Sequence, residues 1–134
     1  MYKPAILAGA LFALLAVVLG AFGAHALKAI LPPETLQSFE TGVRYQMYHA
    51  IALILVGIIG QREGFKPQRI TTLFNMGIVL FSFSIYALTL LKSTQQIGLG
   101  KLGILTPIGG LFLIAAWGML AWQALRAPST SATQ

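Results

Sequence analysis

The sequence predicts an all-α integral membrane protein: a four-helix bundle with a short interfacial amphipathic helix between spans one and two. Three observations predict it. Of 134 residues, 57% are hydrophobic and only 9% charged, against about 25% charged in average soluble chains. Nine bases and three acids are too few to cover the surface of a soluble domain of this size, so the apolar excess must face lipid. The apolar residues also fall into four long runs separated by polar connections, and the first run carries small residues at helical spacing.

The first span runs from about Ala5 to Leu27. Pro4 suits a first-turn helix position, and at ~1.5 Å per residue the run reaches about 34 Å, enough to cross a ~30 Å core. Lys3, this run and Ala24-His25-Ala26 also have the outline of a secretory leader. The 20 residues from Ala5 to Ala24 exceed the usual apolar stretch of about 7–15 in a leader, so the segment is read as a span. Ala5, Gly9, Ala13, Ala16, Gly20 and Ala24 share one helix face. Lipid supplies no hydrophobic force between helices, so such a face serves close backbone packing.

Pro32-Pro33 then ends one helix and starts another. Leu36, Phe39 and Val43 recur at helical spacing beside Glu34 and Glu40, the pattern of a short helix lying in the interface. Span two is expected over 42–60, followed by a polar connection from Arg62 to Arg69. Span three is expected over 70–91. The next connection, from Lys92 to Leu105, is polar and then dotted with Gly98, Gly100 and Gly103. Span four covers 106–125, with Thr106 as N-cap and Pro107 in the first helical position. Residues 1–126 thus read as a single membrane domain. The tail 127–134 is small and polar, a composition that favours disorder.

Four spans put both termini on one side. That side carries Lys3, Arg62, Lys66, Arg69 and Arg126, and the other carries Lys28, Arg44, Lys92 and Lys101. The excess of bases favours cytoplasmic termini in a multi-pass protein of the bacterial inner membrane.

Composition excludes several classes. The chain has no cysteine, which removes disulfides, thiolate catalysis and cysteine-ligated clusters. The bases are dispersed at span ends with no aromatic-interleaved groove, so nucleic acid is not an expected partner. With three carboxylates and none at mid-span, neither an H-E-x-x-H metal site nor a carboxylate cage can be built, and the same absence argues against a proton-coupled pump. No serine has a G-x-S-x-G setting.

Ionisable groups at membrane depth are functional candidates by default. His25, Arg44, Tyr45, Tyr48, His49, Ser82, Ser84, Tyr86 and Thr106 all fall toward the face opposite the termini, and Glu40 stands one turn before Arg44. Glu40 and Arg44 are four apart, as are Arg44 and Tyr48, and Tyr45 and His49, so a hydrogen-bonded cluster of Glu40, Arg44, His49 and His25 is expected. Two readings stand beside each other. The cluster staples span one to span two, with the tyrosines as an interfacial belt, or it forms a ligand pocket. No catalytic or metal site is expected. Haem b held between His25 and His49 is the one cofactor alternative, and it requires the two residues to lie at matching depths.

The stretch Leu19-Gly20-Ala21-Phe22-Gly23-Ala24-His25-Ala26-Leu27 resembles the first signature of the domain-of-unknown-function family numbered four-two-three, which is related to the animal protein called transmembrane protein two-five-six. Thr41-Gly42-Val43-Arg44-Tyr45-Gln46-Met47-Tyr48-His49-Ala50, Leu80-Phe81-Ser82 and Thr106-Pro107-Ile108-Gly109-Gly110 with Trp117 are similar too. One departure is Phe83, where the family pattern has a small glycine that would allow a tight helix crossing. The resemblance implies four spans and a bacterial inner-membrane or mitochondrial location. It singles out His25, Arg44, Tyr45, His49, Thr106 and Gly109, and it carries no established activity.

The sequence therefore leads to a small, non-enzymatic membrane protein without a cofactor. It would act as an accessory or scaffold subunit among other membrane chains or as a homo-oligomer, with Gly9, Ala13, Ala16, Gly20, Ala24, Gly109 and Gly110 as helix-packing positions. The alternative is a small transporter or a lipid- or quinone-binding protein using the His/Arg/Tyr cluster.

Overall fold

The computed structural model describes residues 1–93 and 100–126. The expected tail 127–134 and the middle of the connection before span four lie outside the described residues. Helix α1 spans Lys3–His25 and runs into a 3₁₀ turn at Leu27–Ala29. Helix α2 spans Pro33–Ile59. The third span is built from α3 (Pro67–Ile78), a π-helical turn (Val79–Phe83) and α4 (Ser84–Ser93) in direct succession. One turn of helix, α5 (Gly100–Gly103), precedes α6 (Leu105–Arg126). Four segments, Lys3–Ala29, Pro33–Ile59, Pro67–Lys92 and Leu105–Arg126, are long and apolar enough to cross a membrane.

Proline starts three of these helices. Pro4, Pro33 and Pro67 stand in the first turns of α1, α2 and α3, where their missing N–H would have had no helical partner. Glu34 adds a negative charge to the first turn of α2, which favours the helix dipole.

The expected separate interfacial helix is not present. The segment from Pro33 continues through Gly42 into the second span as one 27-residue helix. Gly42 marks a packing point rather than a boundary. A Cβ there would come 2.9 Å from the Tyr86 ring and 3.3 Å from Ile85, and its carbonyl accepts a bond of 2.8 Å from Ser82 Oγ. Phe39 and Val43 of the periodic set face neighbouring helices instead of a membrane surface. Phe39 is 4% exposed and lies on Gly23, while Val43 lies on Gly20.

Helices α1 and α2 are antiparallel and pack along most of their length. Gly9 lies on Ala50 and Ile54, Gly20 on Val43, Gly23 on Phe39, and Gly57 on Ile6. At its start α1 is tied down by Tyr2 N–H donating to Gly57 O at 2.7 Å. Of the small-residue stripe, Ala5, Gly9 and Ala16 are buried, Ala13 and Gly20 are half-buried, and Ala24 is exposed, with Gly23 buried in its place. The stripe drifts because the helix wraps past its partner at about 3.6 residues per turn rather than at a strict four.

The third span is sandwiched between α2 and α6. Gly77 receives the Leu113 side chain, and Gly109 lies directly on the backbone of Leu80 and Phe81. That crossing falls on the π turn. Phe83 makes no tight crossing. It is 38% exposed and sets its ring against Phe12 and Tyr86. The common core is Leu53 and Val56 of α2, Ile70, Phe74 and Ile78 of α3, and Leu113 and Ala116 of α6, with Ala5 of α1. The outer helices α1 and α6 turn Leu7, Leu11, Leu14, Leu111, Ile114 and Leu125 outward, as lipid-facing surfaces do.

Candidate functional site

Polar side chains at membrane depth must find partners, because hydrocarbon offers none. The fold supplies them through a network joining all four spans. At its centre is Gln46, fully buried in α2. Its Nε2 donates to the backbone carbonyl of Phe12 in α1 at 2.8 Å, and its Oε1 accepts from Tyr86 Oη in α4 at 2.9 Å. One turn earlier on the same face of α2, Gly42 O accepts from Ser82 Oγ. On the far side of the third span, Ser84 Oγ and Thr106 Oγ1 of α6 lie 2.7 Å apart. Residues two apart point to nearly opposite sides of a helix, so Ser82 bonds toward α2 while Ser84 bonds toward α6.

His49 sits in a separate, aromatic nest. It is 6% exposed, and its Nδ1 bonds the Tyr45 carbonyl one turn back in α2. The Phe74 and Trp117 rings lie 5.7 and 6.2 Å from it, centroid to centroid. Tyr45 stacks on Phe81 at 4.7 Å. No carboxylate, hydroxyl or second histidine pairs with the His49 ring among the described residues.

The expected cluster of Glu40, Arg44, His49 and His25 does not form. His25 ends α1 and is exposed, as are Glu40 and Arg44. The guanidinium of Arg44 donates to Thr41 Oγ1 at 3.3 Å, and no ion pair joins it to Glu40 among the described residues. Tyr45 and Tyr48 are 41% and 58% exposed on the outer face of α2. Tyr86 belongs to the Gln46 network. Thr106 lies inside α6, which starts at Leu105, and its hydroxyl reaches Ser84 rather than capping its own helix. Gly110 has only ordinary distances to the Phe81 ring.

The register explains the missing cluster. Across the α1–α2 pair, facing residue numbers sum to 62 or 63 in the pairs Gly9–Ile54, Gly20–Val43, Gly23–Phe39 and Gly57–Ile6. His25 is therefore level with residues 37–38. His49 lies about eleven positions deeper, roughly 17 Å at ~1.5 Å per residue. Starting span two at Gly42 placed His49 near the membrane face. The longer α2 places it near mid-span. A haem held between His25 and His49 does not fit this arrangement, since its two axial ligands must meet the iron at one level.

Three residues of consequence escaped the sequence reading. Gln46 was visible as an amide four residues beyond Gly42 and four before Ala50, on the buried face of α2. Thr71 and Asn75 are likewise four apart in α3. Their Oγ1 and Oδ1 atoms are buried without a hydrogen-bond partner. Among the described residues, cavities open at both ends of the bundle. One of about 360 Å³, near the start of α6, is lined by Thr35, Ser38, Thr41, Thr89, Lys92 and Thr106 among others. The other, of about 520 Å³, lies at the end carrying the termini.

Four membrane-crossing helices closed by interhelical hydrogen bonds define a small multi-pass α-helical membrane protein. Residues 19–110 match the family model described as "Protein of unknown function (DUF423)", and the chain belongs to that family, as the resemblance at Leu19–Leu27 and Thr41–Ala50 implied. It is similar to the UPF0382 membrane protein YwdK of Bacillus subtilis, with 43% identity over 126 residues, covering 92% of this chain and 98% of the relative. The UPF0382 membrane protein of Staphylococcus haemolyticus is 42% identical over 88% of this chain and 92% of its own. That of Haemophilus influenzae is 35% identical over 84% and 86%. No solved structure matches the chain.

Proposed function

We propose that the protein is a non-enzymatic membrane subunit that works by assembling with other membrane chains, in the first place with a second copy of itself. The observation that carries this reading is Asn75. It lies eight residues beyond Pro67, about 12 Å along the helix, near the middle of a ~30 Å core. Gln46, Ser82, Ser84, Tyr86 and Thr106 find hydrogen-bond partners within the chain. Asn75 Oδ1 and Thr71 Oγ1 do not. An unpaired amide in hydrocarbon is costly, and asparagine between membrane helices resolves that cost by bonding across a helix interface. Asn75 is half-buried at the edge of the buried face of α3, beside the exposed Met76 and Val79. Its Oδ1 is turned inward, so a neighbouring helix meets the amide at Nδ2 and reaches Oδ1 once the side chain turns outward.

The topology belongs to the same reading. Arg44 lies eleven residues beyond the start of α2, deeper in its helix than Lys3, Arg69, Lys92 or Arg126, and setting it aside leaves five bases at the terminal side against Lys28, Lys92 and Lys101 at the other. This supports cytoplasmic termini.

Native mass spectrometry of protein gently extracted from its own membrane tests the proposal. The expected mass is a multiple of the chain or includes another protein. Asn75→Leu is expected to shift that population toward single chains, by about threefold per lost bond at ~0.6 kcal/mol, without lowering the stability of the monomer. A strictly single-chain mass with no protein companion refutes it.

A further inference from the structure

We propose that the cavity at the terminal end of the bundle binds the headgroup of an anionic phospholipid. The cavity, about 520 Å³, is walled by the α2–α3 connection and the last turns of α6. Arg62, Lys66, Arg69 and Arg126 line it, with Glu63 as the one carboxylate among the lining residues. None of the four bases is ion-paired among the described residues. A surplus of three positive charges around one cavity is complementary to a phosphodiester, and a volume of several hundred Å³ is that of an ordinary ligand site.

The wall is built rather than incidental. Gln123 of α6 reaches the connection and holds its backbone from both sides. Its Oε1 accepts from Lys66 N–H at 2.7 Å, and its Nε2 donates to Lys66 O at 3.4 Å. This fixes Lys66 and Arg69 at the start of α3, whose positive dipole end adds to the field. The Arg126 guanidinium carbon sits 4.2 Å from the centre of the Trp122 ring, a cation–π arrangement that leaves its N–H edge available.

The floor decides between a lipid and a soluble anion. Beneath the bases lie Phe65, Met119, Leu120 and Trp122, and Trp122 is 55% exposed at the last turns of a span. Tryptophan at that level marks the headgroup region. Bases there with apolar side chains one turn deeper match a molecule with a phosphate on top and a glycerol backbone and acyl chains below. Basic pockets between membrane helices take such headgroups.

The test uses the full chain in a neutral detergent with Trp117→Phe, so that Trp122 alone reports. It is titrated with short-chain phosphatidylglycerol, phosphatidylcholine or inorganic phosphate. Saturable binding of phosphatidylglycerol is expected, weakening as salt rises. Each base near the surface contributes about a fivefold gain in affinity for anionic lipid, so Arg62→Ala with Arg69→Ala should weaken binding about 25-fold. Arg126→Gln alone should weaken it about fivefold, and it keeps the proposal testable if the double variant does not fold. Equal binding of phosphatidylcholine, or unchanged affinity in variants that melt normally, overturns the proposal. Inorganic phosphate binding as tightly as the lipid also overturns it, in favour of a free-anion site.

Discussion

Replacing Gln46 with leucine is expected to loosen the bundle by an amount that its two hydrogen bonds set. The side chain is fully buried, and leucine has a similar volume, so no large cavity term enters. The lost interactions are Nε2 to Phe12 O at 2.8 Å and Tyr86 Oη to Oε1 at 2.9 Å. Phe12 O lies inside α1 and keeps its helical partner, so that loss is the milder one. Tyr86 loses the Gln46 acceptor, and the Ser82 hydroxyl is the polar side chain left beside it. A net ~0.5–1.5 kcal/mol per bond in proteins generally, and ~0.6 on average between membrane helices, give about 1–2 kcal/mol in total. Tyr86→Phe should cost a similar amount, because it strands a buried amide oxygen. The double variant should cost clearly less than the two added together, since each single change already breaks the shared bond. Unfolding in mixed micelles of a mild detergent and dodecyl sulfate, followed by circular dichroism, measures all three. Additivity within about 0.3 kcal/mol, or Gln46→Leu as stable as the parent, would refute the assignment of Gln46 as the centre of the network.

Two further outcomes follow from backbone geometry. Gly109→Ala should destabilise strongly, by about 2–3 kcal/mol or more, because the added Cβ meets the Leu80–Phe81 backbone, which cannot rotate away. Gly118→Ala in the same helix, with open space around its Cβ, should be neutral or slightly stabilising, and equal melting of the two variants would sink the close-approach argument. Gly64, in the α2–α3 connection, has φ of 75° with nothing near its missing Cβ. Gly64→Ala should therefore cost about 1–2 kcal/mol through backbone strain alone, and Gly64→Asn visibly less. Identical midpoints for the alanine and asparagine variants would contradict a left-handed requirement.

Much of this protein was legible from its residues alone. Composition decided lipid as the surroundings, since nine bases and three acids cannot solvate such a chain. Hydrophobic run length decided four crossings, because a helix must hide its backbone bonds over the whole core thickness. The prolines at 4, 33 and 67 marked helix starts for a local reason, the missing N–H. Family membership was legible too, from stretches such as Thr41–Ala50.

Register was not legible, and only the tertiary structure decided it. Nothing local distinguishes Gly42 as a helix boundary from Gly42 as the point where Ser82 and Tyr86 approach. The answer depends on what lies across the interface. That choice moved the start of α2 to Pro33, carried His49 toward mid-span and separated it from His25. It also set Gln46, instead of the charged residues, at the centre of the polar network. Helical spacing tells which residues share a face. Which face meets which, and at what depth, is settled by backbone approach at Gly9, Gly57, Gly77 and Gly109, because in lipid close packing and interhelical hydrogen bonds, rather than hydrophobicity, choose between faces that are all apolar.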